Sequence, residues 1–208
     1  MQLAFLVILV GALCLGLAAL APLGWVQYRR RRLLGRLAAR LGLRFSADDP
    51  FELARRYGAF VLATAGHSPR PENVIYGWYG SWQVRAFDYC FEVGHGPGRM
   101  VRHYSVLAAE TGLALPAALL WHTDDAANAP LSVPGTTGRE GPWLVCQGAE
   151  AAGRLSAAFA EFAAVSADIQ TEAGAVLVAS PVRWPAKQYG PWLDKFVLAL
   201  DRLRPQQA

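Results

Sequence analysis

Asn73-Val-Ile-Tyr-Gly-Trp-Tyr79, the dipeptide Gly80-Ser81 and Trp82-Gln-Val-Arg-Ala-Phe-Asp-Tyr-Cys-Phe-Glu-Val93 read as two strands joined by a tight turn. β-Branched and aromatic residues fill both arms, and a Gly-first two-residue connection suits a type II′ hairpin, whose first position needs positive φ. In the second arm Phe87, Tyr89, Phe91 and Val93 alternate with Ala86, Asp88, Cys90 and Glu92. The first set should face a core and the second a partly polar surface. Asp88, an acid inside an aromatic strand, needs a cationic partner if it is buried, and Arg85 and Arg102 are the candidates.

Outward from the hairpin the chain alternates short elements without a regular strand-helix rhythm. Asp49-Pro50-Phe51-Glu52 reads as a helix start, with an acid at the cap and proline at the first position, and Gly58 should end that helix. Residues Ala59 to Thr64 look like a strand, and the polar, proline-bearing Gly66 to Glu72 like a loop. The glycine-rich Gly94 to Gly98 leads to a strand over Val101 to Glu110, with further strands at Ala117 to His122 and Trp143 to Gln147. Thr123 to Gly141 shows no period and reads as a long surface loop. Leu155, Ala158, Phe159, Phe162 and Ala163 fall at i, i+3, i+4, i+7 and i+8, the signature of an amphipathic helix. Ala167 to Thr171 and Ala175 to Ser180 form a second hairpin, and Leu193, Phe196, Val197 and Leu200 mark a C-terminal helix opened by Pro191. Hairpins followed by helices argue an α+β fold with a mainly antiparallel sheet and a few packing helices.

The N-terminal region has a different character. Leu3 to Val26 is uncharged and almost wholly apolar, and Arg29, Arg30, Arg31 and Arg32 follow at once. As a helix the run would be about 36 Å long, enough for a hydrocarbon core of about 30 Å, so it is expected to be a single transmembrane helix. A cleaved signal peptide wants a charged n-region and a shorter core, and the best small-x-small site, Ala19-Leu20-Ala21, is followed by Pro22. Cys14 follows Leu13, which does not suit a lipoprotein signal. Ala12 and Gly16 form a small-xxx-small pair. Trp25 and Tyr28 fit an inner aromatic belt, and the arginines mark the cytoplasmic flank, which places the N-terminus outside and the domain at the cytoplasmic face of an inner membrane. Leu33, Leu37 and Leu41 recur every four residues beside Arg32, Arg36 and Arg40, giving a basic amphipathic helix. The expected organisation is therefore an anchor over 1–28, a juxtamembrane helix over 29–45 and one cytoplasmic domain over 46–208.

Charge is unevenly shared. Residues 1–47 hold seven arginines and no acid, leaving 13 basic against 16 acidic residues in 48–208. The domain itself is acidic, which argues against nucleic-acid binding, and the basic end suits lipid instead. Cys90 and Cys146 make no disulfide framework.

At the Asn73…Gly77 strand and the Phe87-Asp88-Tyr89 strand the chain resembles a family of uncharacterised bacterial proteins with an N-terminal membrane anchor. The resemblance covers about half of the domain and implies the anchored architecture. That family has no settled activity, so no catalytic residue is carried over.

Candidate chemistry is sparse. Gly94-His-Gly-Pro-Gly-Arg99 has glycines for an anion cradle, but the strand that follows and Pro97 suit an ordinary connection. His67, Ser68 and Asp88 supply the residue types of a triad without a nucleophile elbow. His67, His95, His103 and His122 lack metal-ligand spacing, and only His122 beside Asp124 and Asp125 is suggestive. No cofactor is expected. Trp78, Tyr79 and Trp82 at the hairpin tip are candidates for an aromatic partner contact. The leading expectation is a non-enzymatic accessory, assembly or scaffolding subunit of a membrane protein complex. Its partners would be the lipid bilayer and an integral membrane protein. The alternative is a membrane-tethered enzyme or small-ligand binder with a cleft near Asp88 and the Gly94 to Gly98 loop.

Overall fold

The computed structural model describes residues 2–128 and 133–204. Among them nine strands form one antiparallel sheet: β1 (Arg44–Ser46), β2 (His67–Tyr79), β3 (Trp82–Val93), β4 (Met100–Glu110), β5 (Ala118–His122), β6 (Gly138–Glu140), β7 (Trp143–Gln147), β8 (Asp168–Glu172) and β9 (Ala175–Ser180). Their order across the sheet is β1-β2-β3-β4-β9-β8-β5-β7-β6. The helices are α1 (Gln2–Arg40), the single turns α2 (Leu53–Arg56) and α3 (Val61–Thr64), α4 (Ala149–Ala158) and α5 (Tyr189–Arg202). The β2–β3 hairpin closes where its sequence says it should: Tyr79 pairs with Trp82, and Gly80 alone of the two turn residues takes positive φ, at +60°.

Side-chain alternation sends the central strands to two cores. One face of β3, β4 and β9 contributes Val84, Ala86, Leu107, Val176 and Val178, and α1, α4 and α5 cover it with Leu34, Leu37, Leu155, Leu193 and Phe196. The other face contributes Phe87, Tyr89, Phe91, Val106 and Leu177, covered by Leu53, Tyr57, Phe60 and Leu62 of the α2–α3 segment. Both faces of β3 are thus buried, and the partly polar face expected for Asp88, Cys90 and Glu92 is polar but also covered.

Three local readings are corrected. Ala59 to Thr64, expected as a strand, holds the helical turn α3, because Phe60 and Leu62 both turn down onto the aromatic core and Val61 N–H donates to the Gln170 side chain at 2.8 Å. A short apolar run does not by itself separate strand from helix. Gly66 to Glu72, expected as a loop, is the start of β2 in spite of Pro69 and Pro71. Its outer edge lies beyond β1, which pairs only with Val74 to Tyr76, and an unpaired edge tolerates proline. Within the expected Thr123 to Gly141 loop, Thr123–Asn128 is a 3-10 turn and β6 pairs with β7, while 129–132 fall outside the described residues. The amphipathic helix around Leu155 is present, but it passes from α4 into a 3-10 stretch over Ala160–Val165.

The largest correction concerns the N-terminus. Among the described residues no helix is long and apolar enough to cross a membrane, so the single transmembrane helix read from 1–28 is not upheld. The apolar run continues without a break into the basic amphipathic stretch. It is the first part of one 39-residue helix, and the arginines lie inside that helix. The second half is a structural part of the domain: Leu34 and Ala38 are 1% exposed and share the main core with Leu193 and Phe196. The buried stripe is Leu34, Leu37 and Ala38, while Leu33, expected to lead it, is 43% exposed. The Ala12–Gly16 pair lies outside the residues whose side chains are described.

Phe87 is 2% exposed and stacked beside Tyr57 at a ring separation of 6.5 Å. Phe87→Ala should therefore lower the unfolding free energy by about 3–5 kcal/mol in a denaturant titration, with the slope unchanged. A loss below about 1 kcal/mol would mean that this face of β3 is not a core face.

Candidate functional site

Asp88 sits on the main-core face of β3, level with Glu72 of β2 and Ser105 of β4. Four of its acceptor positions are filled. Arg30 Nε donates to Oδ2 at 2.7 Å and Arg30 Nη2 to Oδ1 at 2.5 Å, a two-pronged pair. Asn73 Nδ2 donates to Oδ2 at 2.8 Å and the Tyr189 hydroxyl to Oδ1 at 2.7 Å, while Arg183 stands at 3.5 Å. The third Arg30 nitrogen, Nη1, donates to the Trp184 carbonyl at 2.8 Å, and Trp184 N–H donates to Ser105 Oγ at 2.8 Å. One carboxylate thus ties α1, β2, β3 and α5 together, with Trp184 bridging to β4. Asn73 reaches it from a backbone at φ +56°, a left-handed conformation that asparagine adopts more readily than most residues.

The charges follow from the geometry. Burial would push the Asp88 carboxyl up, but the hydrogen bonds and charge of Arg30, with Tyr189 and Arg183, hold it below the usual carboxylate range. Burial would likewise lower Arg30, and Asp88 more than offsets it. A carboxylate with its lone pairs taken by four donors is built to hold structure and has none left for a reacting group.

Neither partner expected from the sequence meets Asp88. Arg85 has the opposite parity on β3, so it points to the other face, where its Nη1 donates to Glu110 at 2.8 Å and to the Tyr57 hydroxyl at 3.2 Å. Arg102 is level with Phe91 in the β3–β4 ladder and shares that ring's face. Parity alone would have excluded Arg85, and the β3–β4 register excludes Arg102. The true partner is 58 residues away and carries no local signal.

Of the membrane-interface candidates on α1, Arg30 is turned inward. Arg30, Leu34, Leu37, Ala38 and Leu41 follow i, i+4, i+7, i+8 and i+11, one side of the helix. Trp25, Tyr28, Arg29, Arg32 and Arg36 lie on the opposite side and are exposed, with Trp25 and Tyr28 rings 6.2 Å apart. Arg40 is exposed, and Arg31 reaches toward Asp48 at 3.9 Å. In the first half the described large side chains, Phe5, Leu6, Leu9, Val10 and Leu13, are all more than half exposed.

At the hairpin tip the structure separates the three aromatic candidates. Trp78 is 70% exposed on the rim of an open groove of about 400 Å³ that also touches Gln83, Thr111 and Arg204. Trp82 is buried, its Nε1 donating to Asp201 at 2.9 Å beneath the Arg204 guanidinium. Tyr79 is half-buried and donates to Asp194 at 2.5 Å, a bond that together with burial pushes its hydroxyl up to about 12.

The remaining candidates are not brought together as a site. His67 stacks on His95 and faces Glu92 and the Gly94 carbonyl, and Asp88 is already filled by other donors. Gly94 to Gly98 makes a 3-10 turn into β4. His122 is buried, with Nδ1 accepting from Asp124 N–H at 3.2 Å, and Asp125 accepts from the Tyr104 hydroxyl at 2.8 Å. Among the described residues no group of three or more His, Cys, Asp or Glu side chains is arranged to hold a metal ion.

No protein-family model matches the chain, and no curated protein does. Among solved structures it is similar to the mycobacterial trehalose monomycolate transport factor A, TtfA, with a TM-score of 0.60 and 20% identity, over 86% of this chain and 94% of that one. At this identity the likeness establishes a shared fold.

Removing one partner of a buried ion pair leaves the other charge unpaired, so Asp88→Asn should cost about 3–5 kcal/mol in denaturant unfolding. The folded Asp88 carboxyl titrates below its ordinary value of 3.8, so its contribution is complete above that pH and is lost as pH falls through the lower folded value. The melting temperature of the wild type should therefore drop below about pH 4, and Asp88→Asn should flatten that part of the profile. An unchanged acid limb in the variant would contradict the pairing.

Proposed function

We propose that this chain is a non-enzymatic accessory, assembly or scaffolding subunit of a membrane protein complex. In this reading α1 lies against the surface of a bilayer, with its arginine face on the anionic headgroups of a cytoplasmic leaflet. The observation that carries it is the two-sidedness of α1. One side is locked to the domain through Arg30 and Leu34, while the other presents arginines and aromatic rings, and Phe5, Leu6, Leu9, Val10 and Leu13 nearer the N-terminus are exposed. Leaving such a run in water costs about 25 cal/mol per Å² of apolar surface, and lipid removes that cost. Attachment to a bilayer needs two signals, and the arginines that follow supply the electrostatic one, at about 1 kcal/mol each near an anionic surface.

The solved structure of the same fold is that of a transport factor, and neither that role nor its lipid is carried over. Against an enzyme using the Asp88 cleft stands the saturation of that carboxylate by Arg30, Asn73 and Tyr189. Trp78 is the exposed ring for a protein partner in the same membrane. Confinement to a bilayer raises the effective concentration of such a contact without any new chemistry.

Two measurements on the full chain test this. In vesicle flotation the wild type should float with anionic vesicles, and Phe5→Ser/Leu9→Ser/Leu13→Ser should leave most of the protein at the bottom of the gradient. In detergent co-purification Trp78→Ala should weaken capture of a membrane partner about tenfold or more, since an interface tryptophan contributes about 2 kcal/mol. Wild-type protein that never floats, or a Trp78→Ala variant that holds every partner as the wild type does, would remove the basis of this reading.

A further inference from the structure

We infer that the outward face of α1 is a binding site for the phosphate of one anionic phospholipid headgroup. Trp25, Tyr28, Arg29, Arg32, Leu33 and Arg36 line a single groove of about 300 Å³. They sit at i, i+3, i+4, i+7, i+8 and i+11, a continuous stripe on the side away from the domain. The inference rests on the bilayer reading above and adds a ligand chemistry to it.

Three properties set this groove apart from a merely basic surface. First, Arg29, Arg32 and Arg36 have no acidic partner among the described residues, whereas Arg30 and Arg31, in the same run, face Asp88 and Asp48. Guanidinium forks match the geometry of phosphate oxygens, and two or three unpaired forks one turn apart can bracket one phosphate. Second, the groove has an apolar component, Leu33 with the Trp25 and Tyr28 rings, which suits glycerol and the first acyl carbons. Rings with one polar edge settle at the headgroup level of a bilayer. Third, the groove's orientation is fixed. Arg30 on the opposite side is held by Asp88 and by the Trp184 carbonyl, so α1 cannot roll about its axis without breaking that pair.

The test compares two exposed arginines of equal charge. Arg32 lies in the groove, and Arg40 lies one turn beyond its last residue and outside it. Full-length protein is partitioned onto vesicles of phosphatidylcholine alone and of phosphatidylcholine with phosphatidylglycerol, and the ratio of the two partition coefficients is the readout. Inorganic phosphate is titrated in a separate arm. Arg32→Gln should lower the anionic preference at least tenfold, Arg40→Gln by less than about fivefold, with melting temperatures unchanged for both. Millimolar phosphate should not displace the protein. Equal losses in the two variants would overturn the headgroup site while leaving general attachment to anionic lipid standing. Displacement by free phosphate would overturn the commitment to a lipid headgroup. Absence of wild-type binding to either vesicle would overturn the bilayer reading and the site together.

Discussion

The pair between Arg30 and Asp88 is the constraint on which the rest of the structure depends. Asp88 is an acid in the middle of a buried strand, and such a charge is tolerated only with a partner and with its lone pairs satisfied. The chain supplies both at once: two prongs from Arg30, an amide from Asn73 and a hydroxyl from Tyr189. Each donor comes from a different element, so satisfying one carboxylate fixes the position of α1, β2 and α5 on β3. The apolar contacts of Leu34, Leu37 and Ala38 then complete the seating of α1. Hydrophobic contact alone is non-directional and would permit a helix to slide or rotate. A two-pronged ion pair has geometry, and it sets which side of α1 faces out.

That rotational setting links fold to function. With Arg30 turned in, Arg29, Arg32 and Arg36 are turned out together, and the exposed apolar segment before them extends along the same helix axis. In the proposed reading, a domain carrying a rigid arm of this kind would meet a membrane in one orientation. The hairpin tip with Trp78 lies at a fixed place relative to that arm, which suits the proposed assembly or scaffolding role.

Much of the domain was legible in the sequence, because its signals are local. The Gly80-Ser81 turn, the alternation of Phe87, Tyr89 and Phe91, the second hairpin at Ala173-Gly174 and the C-terminal helix all follow from turn chemistry and periodicity. Errors arose where tertiary packing outweighed a local preference. Pro69 and Pro71 entered a strand because its edge is free there, and Phe60 and Leu62 formed a helical turn because they close the aromatic core. The site was less legible. That Asp88 needed a partner was clear from its apolar neighbours, yet the partner lies in the basic stretch read as a membrane flank. Reading Arg29 to Arg32 together as a membrane flank assigned Arg30 to lipid with its neighbours. The one hint available was helical spacing, since Arg30 leads the stripe Leu34, Leu37, Ala38 and Leu41 and stands apart from Arg29, Arg32 and Arg36.

The most direct measurement is a double-mutant cycle on Arg30→Gln and Asp88→Asn, read as unfolding free energy. With the two side chains forming one buried pair, each single variant should be strongly destabilised and the double variant should recover part of the loss. The expected coupling is about 2 kcal/mol or more, near the upper end seen for residues in direct contact. Additive losses, with coupling below about 0.5 kcal/mol, would mean that the two residues act independently and that α1 is not held by Asp88.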